Sequence, residues 1–125
     1  MQKLNLTVLA QDFSICKVSE FSPKALQGDI WFAAQTDEEL SLVCPIDHAP
    51  ADAIERSDGW RAMRIDGVLD FSLIGILAGI TAVLAGAQIG VFAVSTYNTD
   101  YILVKANDLP GAIAALEGAG YALRR

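Results

Sequence analysis

The sequence predicts an α+β fold in which two helices cover one face of a four-stranded antiparallel sheet. Three observations predict it: a long uncharged segment, a change of hydrophobic period within that segment, and a helix ending that occurs twice. No charged side chain lies between Asp70 and Asp100, and helical spacing in the first half of this segment gives way to an apolar, partly β-branched run. The predicted order of elements is βαββαβ, the ferredoxin-like arrangement.

The first helix is predicted from Ser72 to about Gly86. A membrane span would need about 20 apolar residues in one helix, flanked by interfacial anchors. The helical part is shorter than that, and Gln88 and a polar turn interrupt the apolar run. We therefore expect a helix that packs within a globular domain. Its large side chains recur at helical spacing: Leu73, Leu77, Ile80 and Leu84.

A helix ending followed by a strand occurs twice with the same spacing. The first copy is LAGAQI, residues 84–89, and the second is LEGAGY, residues 116–121. Each copy belongs to a strand–helix–strand unit, and two such units in tandem complete one βαββαβ module in residues 59–125. The predicted strands of this module are Trp60–Ile65, Ile89–Val94, Tyr101–Lys105 and Tyr121–Arg124, and its second helix is Leu109–Leu116.

Residues 1–58 are predicted to form a smaller module of the same type. Alternating residues predict a tight hairpin with its turn at Gln11 and Asp12, and a second hairpin follows between Asp29 and Cys44. We expect a short helix at Pro50–Arg56, ended by Ser57-Asp58-Gly59. This module then lacks its last strand, so we expect Leu4–Ala10 to fill that edge. No linker rich in Pro, Gly or Ser separates the modules.

The charge and composition exclude several classes of function. The net charge of -6 argues against nucleic acid and anionic membranes as partners, because phosphate binding requires clustered Lys and Arg. The N-terminus lacks the apolar core of a secretory signal. Cys16 and Cys44 lie in separate apolar segments and are expected to be buried free thiols. His48, the single histidine, is expected in an exposed loop, so we predict no metal site. The missing signal and the free thiols predict a cytoplasmic protein.

Catalytic patterns are also missing. Ser72 and Ser95 have no predicted base beside them, so nucleophilic catalysis would lack its partner. The glycines form neither a dinucleotide-binding nor a phosphate-loop pattern. We therefore expect no enzyme, no catalytic residue and no cofactor.

Two motifs in the second half resemble those of a known family. The segment STYNTD, residues 95–100, follows an apolar strand, and LDFS, residues 69–72, precedes the first helix. With them, residues 60–121 resemble the C-terminal module of small bacterial tandem ACT-domain proteins related to the CASTOR-type cytosolic arginine sensors. The N-terminal 55 residues match in arrangement only. Gln88 departs from the pattern, because related chains usually carry the glycine that ends the helix there, and we expect a differently built helix exit.

The resemblance implies a regulatory domain that binds a small molecule, usually an amino acid, at the loop between its first strand and first helix. The family often forms this site between two ACT domains. It also implies a homodimer or larger even-numbered oligomer. The alternative is a ligand-free dimerising module that binds protein. The ligand-binding residues implied for this chain are Gly67, Leu69, Asp70, Phe71, Ser72, Ser95, Thr96, Tyr97 and Asp100.

The chemistry of these residues suits a cationic amino acid. Backbone N–H groups at a helix N-terminus favour a carboxylate, and Asp70 either caps that helix or faces the ligand. Asp100 either forms the turn or accepts the ligand's cationic group, and the resemblance favours the second role. We expect the two segments to leave one module at opposite or offset ends, so that the site needs a second module.

Overall fold

The structure, a computed structural model, describes residues 4–67 and 74–125. The chain divides into two compact units, which are considered separately. The larger unit contains the described parts of 1–10 and 61–125, and the smaller unit contains residues 11–60. The sequence-based division into 1–58 and 59–125 differs from these units by placing the first ten residues with the N-terminal module.

The larger unit has the predicted βαββαβ order of elements. The elements are β1 (Asn5–Val18), β4 (Glu55–Ile65), α1 (Ile76–Gly86), β5 (Phe92–Ser95), β6 (Asp100–Lys105), α2 (Leu109–Gly118) and β7 (Ala122–Arg124). The strands lie in the order β7-β1-β4-β6-β5, so the N-terminal strand is inserted between the last and first strands of the module. β5 and β6 are antiparallel, whereas β1 and β7 pair in parallel.

Both helices bury one apolar face against this sheet. The side chains of Ile80 and Leu84 from α1 are fully buried, and Leu116 from α2 is buried with them. This agrees with the helical spacing in the sequence, since residues three to four apart share a face. The remaining members of the core come from the strands, from α2 and from the connection after α2: Leu6, Val8, Met63, Ile65, Ile102, Val104, Leu109, Ala112, Ile113, Tyr121 and Leu123.

The two helices end in the same way, as the repeated spacing predicts. After α1, Gln88 has a φ of 61°, and the Ile89 N–H donates to the Leu84 carbonyl oxygen at 2.9 Å. After α2, Gly120 has a φ of 100°, and the Tyr121 N–H donates to the Leu116 carbonyl oxygen at 3.0 Å. The expectation of a differently built exit at Gln88 is wrong, because glutamine here adopts the left-handed conformation that glycine usually supplies.

Replacing Gln88 by glycine should stabilise the protein by about 0.5 to 1 kcal/mol. The left-handed conformation costs an ordinary residue about 1 to 2 kcal/mol, and the greater freedom of glycine in the unfolded chain offsets about 0.4 to 1 kcal/mol of the gain. The Gln88 side chain is exposed, so little packing is lost. Urea unfolding measures the difference. Gly120→Ala is the control and should destabilise; a lower stability for Gln88→Gly would contradict the strain argument.

The smaller unit is built from four strand segments. β2 (Phe32–Gln35) and β3 (Leu40–Pro45) form the predicted hairpin, and β3 also pairs antiparallel with residues 13–18 of β1. The order β2-β3-β1-β4 includes the first part of β4. Residues 11–60 are all described and contain no α-helix; a turn at 23–26 and a 3-10 helix at Ile46–His48 lie in the connections.

The predicted hairpin at the N-terminus is wrong. Gln11 and Asp12 lie inside β1, which continues from Asn5 to Val18. The start of β1 pairs with β7 in the larger unit, so the expectation that Leu4–Ala10 fills the edge of the first module is also wrong. The polar pair is accommodated because Asp12 is exposed and Gln11 is half-buried.

The predicted helix at Pro50–Arg56 is wrong as well. Residues 51–52 form a turn, and β4 begins at Glu55 and passes through Ser57, Asp58 and Gly59. Asp58 Oδ1 accepts a hydrogen bond from the Ser14 hydroxyl at 2.6 Å, and Gly59 takes a φ of 84° within the strand. A partner distant in sequence therefore keeps these turn-forming residues in a strand.

The cysteines are buried and free, as predicted. Burial, together with the neighbouring Cys16 thiol, raises the pKa of Cys44 to about 11. His48 is half-buried rather than exposed, because its Nδ1 lies 3.2 Å from the Gln27 carbonyl oxygen. In 4–67 and 74–125 no His, Cys, Asp and Glu side chains cluster as metal ligands. None of the described helices has the length and apolar character needed to cross a membrane.

Candidate functional site

Hydrogen bonds within the β5–β6 turn close it. The Thr96 N–H and hydroxyl both donate to the Thr99 carbonyl oxygen, at 2.9 and 3.1 Å. The Thr99 N–H donates in return to the Thr96 hydroxyl oxygen at 3.4 Å. Where the strands meet the turn, Ser95 stands opposite Asp100 and donates its hydroxyl hydrogen to Asp100 Oδ1. One oxygen of the proposed ligand-binding carboxylate thus already has a partner.

The β2–β3 turn of the smaller unit is closed in a similar way. The Thr36 N–H donates to the Glu39 carbonyl oxygen at 2.9 Å, and the Glu39 N–H donates to the Thr36 hydroxyl at 3.1 Å. However, Gln35 and Leu40 stand where the larger unit has its serine–aspartate pair. The threonine therefore closes the turn in both units, whereas the serine–aspartate pair is found in the turn of the larger unit and not in the β2–β3 turn.

Thr99 joins the β5–β6 turn to the end of β4. Its side chain is only 6% exposed, and its hydroxyl donates to the Ile65 carbonyl oxygen at 2.7 Å. Ile65 is the last residue of β4, and Asp66 and Gly67 follow it. The expectation that the two segments leave one module at opposite or offset ends is wrong, because the end of β4 meets the start of the neighbouring β6.

Asp66 is held where the chain leaves β4. Its N–H donates to the Asn5 carbonyl oxygen at 2.9 Å. Its Oδ1 accepts the Thr7 hydroxyl hydrogen at 2.6 Å, and its Oδ2 accepts from Arg124 Nη2 and, at 3.2 Å, from Nε. The next residue, Gly67, is exposed and has a φ of 89°. Three strands are thus joined beside the first residue predicted for the ligand site.

Helix α1 begins on the far side of this connection. Gly75 is its N-cap with a φ of 82° and has no side chain that could bond to the first turn, which holds no acidic residue. Unpaired backbone N–H groups of a first turn attract anions. Leu69, Asp70, Phe71 and Ser72, together with the predicted helix start at Ser72, lie outside the described residues.

Comparison with known families decides what this arrangement is. A family model for the ACT domain matches residues 55–118, which span β4, α1, β5, β6 and α2. The chain belongs to the ACT-domain family. The ACT domain begins earlier than the predicted Trp60 because β4 itself begins at Glu55.

Solved structures agree with this assignment. A structural-genomics protein from Agobacterium tumefaciens is 32% identical, with 98% of this chain and 93% of that chain covered and a TM-score of 0.90. A protein of unknown function from Vibrio cholerae is 22% identical over 92% and 88% of the two chains, with a TM-score of 0.75. The ligand-free regulatory subunit of aspartate kinase from Thermus thermophilus is 12% identical over 96% and 99%, with a TM-score of 0.65, and shares the fold.

Within the ACT domain, the described members of the predicted site form one group. Gly67 follows the end of β4, and the 95–100 turn is bonded to that end through Thr99. Tyr97 is 78% exposed, whereas Asp100 is half-buried. The sequence reasoning missed Thr99 and Asp66. A threonine in a turn gives no local sign of burial, and the partners of Asp66 lie 58 and 59 positions away.

Proposed function

We propose that this protein is a regulatory ACT-domain protein that binds a free amino acid at the end of β4. The bond between Thr99 and Ile65 carries the proposal, because within one unit it holds the β5–β6 turn at the end of β4, where the chain leaves the sheet. The family usually binds its ligand at the corresponding connection. On this proposal the protein is cytoplasmic and has no enzymatic activity of its own.

The charges at this end suit a ligand with a carboxylate and a cationic group. The first turn of α1, whose N-cap Gly75 has no side chain, offers N–H donors for the carboxylate. Asp100 supplies negative charge, and a carboxylate has about four acceptor sites, so the bond from Ser95 leaves capacity for a ligand. L-arginine and L-lysine combine both groups in one molecule.

A thermal-shift screen of the twenty amino acids tests the proposal. A ligand present at a hundred times its Kd should add about 2.7 kcal/mol to the free energy of unfolding. We expect the cationic amino acids to raise Tm most. If none of the twenty raises Tm, the protein is not an amino-acid sensor.

Replacing Asp100 by alanine should weaken binding of the best amino acid by roughly 1.5 to 3 kcal/mol, the cost of a lost charged hydrogen bond. Calorimetry measures the affinities. Glu117→Ala is the matched control, because this acidic side chain is exposed on α2. Equal affinities for Asp100→Ala and Glu117→Ala would assign Asp100 to the turn alone.

We further propose that the smaller unit is a reduced second ACT module, as in the tandem proteins related to CASTOR-type sensors. Its strand order β2-β3-β1-β4 supports this, because βαββαβ modules place the third strand beside the first and the fourth on the other side of the first. The 23–26 turn and the Ile46–His48 3-10 helix occupy the positions of the two missing helices. The paired threonine turns also support a repeat.

The alternative function is a ligand-free interaction module that forms a homodimer. Tyr97 is 78% exposed and Val91 is 37% exposed, and both flank β5, the edge strand of the larger unit. An edge strand with exposed apolar neighbours is a ready site for pairing with another chain. Light scattering at micromolar concentration should give twice the chain mass of 13.3 kDa or a larger even multiple. A monomeric mass would remove this alternative.

A further inference from the structure

Asp66 makes more hydrogen bonds than the end of a strand requires. Its backbone N–H bonds to β1, and its carboxylate accepts from Thr7 of β1 and from Arg124 of β7. The carboxylate therefore joins three adjacent strands at the residue before Gly67. The inserted N-terminal strand makes this possible, because β1 lies between β4 and β7.

The electrostatics agree with this geometry. Partial burial by itself would raise the pKa of the Asp66 carboxyl, but hydrogen bonds from Thr7 and Arg124 and the charges of Arg124 and Arg64 outweigh it and lower the pKa. The carboxylate is thus ionised at neutral pH, the form in which it accepts both hydrogen bonds. The Asp66 side chain is 18% exposed, whereas the Arg124 side chain is 67% exposed.

The smaller unit contains a constellation of the same chemistry at a different place. Asp58 accepts the Ser14 hydroxyl hydrogen at 2.6 Å and the Arg56 Nε hydrogen at 2.8 Å. It lies within β4, not at the end of a strand. A carboxylate, a hydroxyl and a guanidinium are common to both clusters, but the Asp58 side chain is 46% exposed and its arginine lies two residues away on the same strand.

We propose that Asp66, held by Thr7 and Arg124, is a positioning residue that fixes the backbone where the chain leaves β4 for the ligand site. The proposal rests on the proposed function, since it concerns the same site. Asp66 itself touches no ligand. It acts by keeping Gly67 and the Thr99 anchor on Ile65 in place before the ligand binds, and the inserted β1 strand thereby becomes part of the frame of the site.

Two variants test the proposal with two readouts. Thr7→Val removes the hydroxyl at nearly constant volume, and Asp66→Asn removes the charge. Asp58→Asn is the matched control. The first readout is amide hydrogen exchange by NMR in the ligand-free protein at position 66, whose N–H donates to the Asn5 carbonyl oxygen, with Val104 of the core as reference. The second is the affinity for L-arginine by calorimetry at a temperature where every variant is folded.

We expect Thr7→Val and Asp66→Asn to speed exchange at position 66 but not at Val104, and to weaken L-arginine binding about tenfold. Asp58→Asn should change neither. A purely structural role would lower Tm without changing affinity, and that result would overturn the proposal.

The exchange measurement separates the two failures. If exchange at position 66 is unchanged in both variants, the positioning role is wrong, whatever the ligand does. If exchange rises at this amide while wild-type protein binds none of the twenty amino acids, the proposed function fails and the fixed strand end remains supported. Equal loss of affinity in Asp58→Asn would show a general effect of removing a hydrogen-bonded carboxylate, and would also overturn the proposal.

Discussion

Deleting residues 1–10 should unfold the larger unit. The side chains of Leu6, Val8 and Leu9 are at most 8% exposed, and each contributes about 1.5 to 3 kcal/mol by burial. The deletion also removes the strand between β4 and β7, so that β7 loses the strand it pairs with and β4 keeps only β6 beside it. A loss of about 5 kcal/mol or more is comparable with the whole free energy of unfolding of a typical domain, which is about 5 to 15 kcal/mol.

Near-ultraviolet circular dichroism and urea unfolding should show this loss directly. Leu6→Ala is a milder change than the deletion. It should lower the free energy of unfolding by about 2 to 5 kcal/mol, because Leu6 is fully buried in the core. Asn5→Ala is the matched control, since the neighbouring Asn5 side chain is exposed. A truncated protein with the wild-type unfolding midpoint would show that β1 is dispensable for the larger unit.

The second half of the fold could be predicted because its signals are local. Leu77, Ile80 and Leu84 are separated by three and four positions, which is enough to show a helical face. The LAGAQI and LEGAGY segments mark both helix ends. The strand and helix bounds differ from the predictions by up to a few residues. The direction of each strand followed from the order of elements alone.

The first half failed where a distant partner decides the local conformation. Ser57-Asp58-Gly59 has the composition of a turn, yet Asp58 bonds to Ser14, 44 positions away, and the strand continues. Gln11 and Asp12 likewise resemble a turn, but β1 pairs with β7 before them and with β3 after them. Local propensity is a weak prior when tertiary pairing opposes it.

The candidate site shows the same division. The turn at 95–100 was visible as a motif, whereas its attachment to Ile65 depends on a threonine hydroxyl and a backbone carbonyl that leave no pattern in the sequence. The same holds for Asp66, whose side-chain partners come from opposite ends of the chain. Composition could indicate which residues are polar, but only the strand order brings them together.

The repeated helix endings lead to the second large effect. Leu84 and Leu116 occupy equivalent positions in the two helices, both are fully buried, and both carbonyl oxygens accept the N–H that closes the helix exit. Replacing either by alanine should cost about 2 to 5 kcal/mol in the free energy of unfolding, because the side chain leaves a cavity in the same core. The backbone bonds at the exits remain, so the cost is one of packing.

Urea unfolding of both variants decides whether the two leucines contribute equally to stability as well as occupying equivalent positions. If the two positions are equivalent, Leu84→Ala and Leu116→Ala should lose similar stability, and Leu77→Ala, at a half-buried position on α1, should lose less. The cost of a cavity depends on how far the surrounding side chains relax into it. A loss below about 1 kcal/mol at one leucine, with about 2 to 5 kcal/mol at the other, would therefore mean that the core fills the cavity beside one helix only. The two halves of the ACT domain would then share a backbone pattern without sharing its packing.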